Sequence, residues 1–146
     1  MKARLLHDAE GSRRFILVFS TGDSFNDLIL RFAEEHSIKS GQLSGIGGFR
    51  QITLAYFDWN TKQYNPIPIH EQVELVALNG NLTQYEDNPR LHAHVVIGKS
   101  DGSAWAGHLL DAVVRPTAEI FLQETPVTLR RLMDQESRLP LIDPAH

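Results

Sequence analysis

The hydrophobic and polar positions follow two periods along the chain. Arg13 to Ser20 (RRFILVFS) is a short apolar run ended by Thr21-Gly22, the pattern of a buried strand. Then Phe25, Leu28, Ile29, Phe32 and Ala33 recur three and four apart, as on one face of an amphipathic helix. Asp23 or Ser24 is placed to cap its first turn, and Asp27 suits the positive end of the helix dipole. The helix should end near His36-Ser37, and Gly41 marks a turn. From there the period is two. Gln42 to Ile46 is a short strand followed by Gly47-Gly48. Gln51 to Trp59 alternates Ile52, Leu54, Tyr56 against Thr53, Ala55, Phe57. Asn60-Thr61-Lys62 is a turn. Gln63 to Ile69 carries two prolines, which restrict it to an edge strand or a loop.

Glu71 to Thr83 predicts a long strand, in which Gly80 signals a bulge or a close backbone approach. Gln84 to Arg90 reads as a polar loop, Leu91 to Asp111 as a hairpin, and Thr117 to Glu124 as a strand. The tail from Pro126 reads as a short helical turn, Leu129 to Gln135, then an apolar extended end, Leu139-Pro140-Leu141-Ile142. The pattern predicts a single α+β domain over residues 1–125, an antiparallel-rich β-sheet with one main helix packed on it. A tail over 126–146 should dock on its own or a neighbouring subunit, because an exposed end that apolar would be unusual.

Composition narrows the chemistry. The chain has 146 residues and no cysteine, so disulfides, thiolate nucleophiles and Cys-type zinc sites are excluded together. Any metal must be held by nitrogen and oxygen. The N-terminal run has no long apolar stretch and meets an acid at Asp8, and no apolar run approaches the ~20 residues of a membrane span. The expectation is a cytoplasmic protein. The formal charge is −4, and the basic residues are scattered. The adjacent pairs Arg13-Arg14 and Arg130-Arg131 read as solvated surface pairs, not as the stripe of a nucleic-acid binder.

Three of the seven histidines fall in the hairpin: His92, His94 and His108. Residues two apart on a strand share a face, so His92 and His94 project together. His108 joins them only if the numbers of opposed residues add to an even constant, for example with His92 opposite His108 and His94 opposite Ala106. That requires a loop with an odd number of residues around Lys99 to Gly102. A tight two-residue Asp101-Gly102 turn would put His108 on the other face. Three neutral imidazoles on one face can hold a divalent transition metal, zinc first, at roughly 2.0–2.1 Å and leave a fourth position open. The alternative is three half-exposed histidines, each bonded elsewhere.

Several runs together carry a resemblance: Leu43-Ser44-Gly45-Ile46-Gly47; Ala77-Leu78-Asn79-Gly80-Asn81-Leu82; Leu91-His92-Ala93-His94 with Gly107-His108-Leu109; and Val114-Arg115-Pro116-Thr117-Ala118-Glu119. Over about residues 5 to 125 the chain resembles the plants-and-prokaryotes-conserved domain family. The resemblance implies an α+β domain that assembles as a homotrimer, with the three histidines as a metal site, usually zinc. The histidine pattern is also similar to acetolactate decarboxylase, a zinc lyase of related fold. Plant members bind DNA through a separate Arg-Gly-Arg-Pro segment that this sequence lacks.

Arg115 matches the family motif and is a candidate to hold a substrate carboxylate, with an ion pair to Glu119 as the structural alternative. Glu119 is the candidate acid or base. Asn79 and Asn81 share a strand face and are candidates to support the metal ligands. Ser44-Gly45-Ile46-Gly47-Gly48 matches neither a nucleophile elbow nor a phosphate loop, because a strand follows it, and it reads as tight backbone geometry. The Asn81-Leu82-Thr83 sequon reads as chance, and His7, His36, His70 and His146 as lone histidines. The function expected is a metal site open to a small oxygen-rich ligand, as a lyase or hydrolase if catalytic. The alternatives are a DNA-binding regulator, and a protein-interaction module with a structural metal. No membrane partner is expected.

Overall fold

The computed structural model describes every residue except Glu10 and His146. His146, read above as a lone histidine, therefore lies outside the described residues. In chain order the elements are β1 (Lys2–Ala9), β2 (Ser12–Ser20), α1 (Phe25–Glu35), β3 (Gly41–Asp58), β4 (Gln63–Ile69), β5 (Val73–Tyr85), β6 (Asn88–Gly98), β7 (Ala104–Glu124), β8 (Arg130–Met133) and β9 (Pro140–Asp143). They form one sheet, antiparallel apart from the β5–β8 pair, with one helix, the α+β class expected.

The two sequence periods build the core directly. Phe15, Leu17 and Phe19 of β2 are buried at alternate positions, and Phe25, Ile29, Phe32 and Ala33 of α1 are buried at helical spacing. Ser24 is the N-cap residue, and its hydroxyl donates to Asp27 Oδ2 at 2.6 Å. The helix ends where predicted: Ser37 turns left-handed (φ 55°), its N–H reaches the Glu34 carbonyl, and the Ile38 N–H reaches that of Ala33. Phe25 of α1 meets Phe19 and Phe49 of the sheet, and Phe32 meets Phe15 edge-on at 5.2 Å.

The sheet closes on itself around the rest of the core. β7 pairs with β3, β3 with β5, β5 with β6, and β6 with the first five residues of β7. Leu54, Leu75, Val95, Ile97 and Leu109 are buried. β1–β2 extends the sheet from β7, and the β8–β9 hairpin is attached to β5. β4 pairs only with β3, the edge placement that its two prolines require.

Several expectations need correction. Residues 42–46 and 51–58 belong to one strand, β3, which absorbs its glycines through register shifts between Gly45 and Gly47 and again beyond Gly47, and Trp59 falls in the turn after it. Likewise Thr117–Glu124 continues the second arm of the hairpin as β7. The polar stretch 84–90 is no loop. Tyr85 pairs with Asn88 across a two-residue turn, in which Glu86 and Asp87 both have positive φ (50° and 61°). Its polarity reflects exposure, not irregularity. The helical turn expected over Leu129–Gln135 is the β8–β9 hairpin: its apolar spacing fits a helix, but pairing with β5 decides. The N-terminal run, given no element above, is β1, exposed along its length.

Tight backbone geometry is found where the glycine run predicted it. A Cβ at Gly45 would collide with the Glu119 carbonyl oxygen and with Ile120, and one at Gly48 would stand 2.6 Å from the Arg115 carbonyl oxygen. Gly80 is a close approach and not a bulge, with Ala93 opposite it in regular register. Gly45→Ala is expected to destabilise the fold by about 1–3 kcal/mol, as overpacking does; urea unfolding that leaves the midpoint unchanged refutes the β3–β7 packing described.

Candidate metal centre

The β6–β7 hairpin has the odd loop that a shared face requires. Gly98 pairs with Ala104, the Lys99 N–H donates to the Ser103 carbonyl, and the Gly102 N–H returns to the Lys99 carbonyl. Gly102 takes φ 83°, and Asp101 Oδ1 accepts from the N–H and the hydroxyl of Ser103. Three residues, Ser100 to Gly102, thus span the turn, with the glycine left-handed at its end. The register differs by one pair from the example above: His94, not His92, stands opposite His108. Parity is the same, so all three imidazoles stand on one face.

On that face the potential ligand nitrogens of His92, His94 and His108 lie within 4.8 Å of one another. His92 Nε2 and His94 Nε2 are 3.3 Å apart. Tetrahedral coordination with bonds of roughly 2.0–2.1 Å separates two nitrogens by about 3.3 Å, so this pair already has the required spacing. His108 Nδ1 is buried and has no hydrogen-bond partner. An orphaned buried nitrogen and two close imidazole nitrogens fit a cation better than a hydrogen-bonded cluster. Burial, reinforced by the positive charge of Arg131 and by the neighbouring histidines, lowers His92 and His108 to about 4. Both are therefore neutral near pH 7, the form that ligates.

The surroundings come from four other elements. Tyr64 of β4 stacks on the His108 ring at 4.5 Å. Asn81 and Asn79 of β5 stand opposite His92 and His94. Arg131 of β8 is 6% exposed. Its guanidinium donates to Thr83 Oγ1 (2.7 Å), Asn81 Oδ1 (2.7 Å) and the Pro140 carbonyl (2.8 Å), and Nη2 stands 3.5 Å from His92 Nδ1. Asn81 thus fixes the Arg131 guanidinium beside His92.

The two candidate polar residues of β7 are placed elsewhere. Arg115 is seven residues beyond His108, roughly 20 Å along a strand rising ~3.3 Å per residue. Its Nε donates to Gln72 Oε1 at 2.9 Å, so its partner is an amide and not Glu119. Glu119 is exposed farther along the strand, opposite Val18 and Ile46. A single protomer does not bring either to the histidines.

Each arginine pair is only half the solvated surface pair expected, with Arg14 and Arg130 exposed and their neighbours engaged. Arg13 makes a two-pronged ion pair with Glu124 (2.6 and 2.8 Å) and also donates to the His36 carbonyl. Of the other pair only Arg130 is exposed, on Asp87, while Arg131 turns inward. Strand alternation over 130–133 was the one signal for this, and the helical reading of the tail hid it. Of the remaining histidines, His36 stacks on Phe32, and His7 and His70 are exposed.

Residues 6–126 match the Plants and Prokaryotes Conserved (PCC) domain. The chain belongs to that family. Among solved structures, a protein from Bacteroides thetaiotaomicron described as a candidate DNA-binding protein is similar over 99% of both chains, with 27% identity and a TM-score of 0.89. A metal-containing protein from Archaeoglobus fulgidus is 30% identical over 97% of this chain and 99% of its own, with a TM-score of 0.85. A plant- and prokaryote-conserved protein from Pyrococcus horikoshii is 28% identical over 97% and 94%, at 0.84. A Staphylococcus aureus protein similar to alpha-acetolactate decarboxylase, 14% identical over 75% of this chain and 51% of its own with a TM-score of 0.56, shares the fold alone. The curated bifunctional protein GlmU of a Synechococcus strain is 30% identical over 71% of this chain, but the chain spans only 16% of its length. Among the described residues no helix is long and apolar enough to cross a membrane.

The contrast between the neighbouring arginines is testable. Arg131→Ala is expected to cost roughly 2–4 kcal/mol, because it orphans buried acceptors that bonded a charged group. Arg130→Ala should cost less than about 1 kcal/mol, as for an exposed ion pair. Equal shifts of the unfolding midpoint contradict the inward placement of Arg131.

Proposed function

We propose that this PCC-domain protein is a metal-binding protein whose His92, His94 and His108 hold zinc or another divalent transition metal. The observation that carries this reading is the spacing of the imidazole nitrogens, 3.3 Å for the first pair and within 4.8 Å for all three, on a face where His108 Nδ1 has no protein partner. The structural relative from Archaeoglobus fulgidus, described as metal-containing, supports it. Three protein ligands leave a position for water or an oxygen-rich small molecule. The metal would supply Lewis acidity there, polarising a bound oxygen or lowering the pKa of a bound water. The protein's own residues would hold the histidines in place: Tyr64 stacks on the His108 ring, and Asn81 and Asn79 stand opposite His92 and His94 on the paired strand. Lyase or hydrolase chemistry is the class such a site serves.

Assembly as a trimer belongs to the same proposal. Outward residues of β2, β3 and β7 leave Val18, Ile46 and Phe121 exposed by 36%, 59% and 49%. Glu119 stands between Val18 and Ile46, and Arg14, Gln42, Ser44 and Gln123 surround Phe121, so the strip is apolar with polar groups that a neighbouring subunit must pair. A strip of that kind on an uncovered sheet face suits burial against another subunit.

Protein purified without a polyhistidine tag is expected to carry close to one metal per chain by elemental analysis and to sediment at three times the protomer mass of 16.5 kDa. His94→Ala should abolish stoichiometric metal. Metal-free wild type that also fails to take up zinc, or an unchanged content in His94→Ala, refutes the site; a monomer at micromolar concentration refutes the assembly.

The description of the Bacteroides thetaiotaomicron protein favours a second reading, DNA binding. It requires affinity that falls steeply with salt, and the net charge of −4 opposes it. No mobility shift of an AT-rich duplex at low salt removes that reading.

A further inference from the structure

The β8–β9 hairpin brings a buried cation to the histidines, and nothing in the metal reading uses it. Between the hairpin and the histidine face lies a cavity of about 40 Å³, lined by Tyr64, Arg90, His92, His108 and Arg131. Leu91 and the segment Leu139–Leu141 supply apolar wall. Arg131 lies beyond residues 6–126, so the cation is a feature of this chain's tail and not of the matched domain.

Arg131 is more than nine-tenths buried, yet its three short hydrogen bonds all end on uncharged oxygens. They use three of a guanidinium's five N–H donors. Arg90, which lines the same cavity, carries a charge of the same sign. A buried cation balanced by dipoles alone is costly, and an anion beside it offsets that cost. The size of the cavity restricts the anion. Space of this order holds a few water molecules or one carboxylate group, and no sugar or nucleotide. A carboxylate oxygen can accept from the donor left on Nη1 with Arg90 as a second cation, and leucines at the wall suit a short carbon chain.

We propose that this cavity binds the carboxylate group of a small organic acid, with Arg131 as the recognising cation and Arg90 and Tyr64 beside it. The site adjoins His92 and His108, so the rest of such an acid lies next to the metal centre. The proposal goes beyond the metal reading and does not require it.

The test is calorimetric titration of the full chain with acetate, and with neutral acetamide as control, in metal-free and cobalt-loaded preparations. Saturable acetate binding is expected, with acetamide at least tenfold weaker. Arg131→Gln should weaken acetate at least tenfold. Arg90→Gln, at an exposed position, should weaken it severalfold with an unchanged melting temperature, and it decides the matter if Arg131→Gln does not fold. Absence of acetate binding in both preparations, acetamide binding as tight as acetate, or wild-type affinity in the folded variants overturns the proposal. Cobalt content measured on the same samples separates the two readings. Protein that takes up no cobalt but binds acetate refutes the metal site and supports this one; cobalt-loaded protein that ignores acetate does the reverse.

Discussion

The antiparallel pairing of β3 with β7 is the constraint on which the other elements depend. It runs from Gly41–Glu124 at one end to Ala55–His108 at the other, and it bends where glycine lets the backbones approach. At that second end His108 is paired with β3 on one edge and with β6 on the other, and the first five residues of β7 close the pairing circuit on β6. Without the β3 pairing, β7 would be held at this end by β6 alone. With it, His92 and His94 are anchored by β5 and His108 by β3, so three ligands sit on strands that are each paired on both sides. Ligands held on paired strands keep their spacing better than ligands on a loop.

The two faces of this sheet do different work. One buries Leu17, Leu43, Ile120 and Leu122 with α1 into the core. The other carries the histidines, Asn79 and Asn81, and farther along the sheet a strip with exposed Val18, Ile46 and Phe121. The same alternation that keeps the core dry places the polar chemistry on the outward side. Only there can ligands be close to solvent while their neighbours at odd positions, Ala93 and Val95, stay buried.

The tail shows how a cation can be placed without an acid. Arg131 reaches across β8 into hydroxyl, amide and carbonyl oxygens, and Asp134 holds the turn of the hairpin through Ser137. Pairing with β5 at Gln84 fixes the height of Arg131 over the histidine face. The positive charge so placed helps keep His92 neutral.

Local patterns in the sequence determined the α1 face, its end at Ser37, the alternation of β2, the edge role of β4 and the shared face of the three histidines. Each of these depends on spacing within one element or across one short turn, where geometry follows from a period of 3.6 or 2. The crowding at Gly45 and Gly48 was legible for the same reason, because a glycine run in a strand pattern signals close backbones. Tertiary structure alone decided the rest. That Gly47 bends one strand and does not separate two, that Arg131 points inward while Arg130 points out, and that Arg115 lies along the strand from the histidines all depend on which distant strand pairs with which. Such pairing is set by packing between segments tens of residues apart, and no period along the chain encodes it.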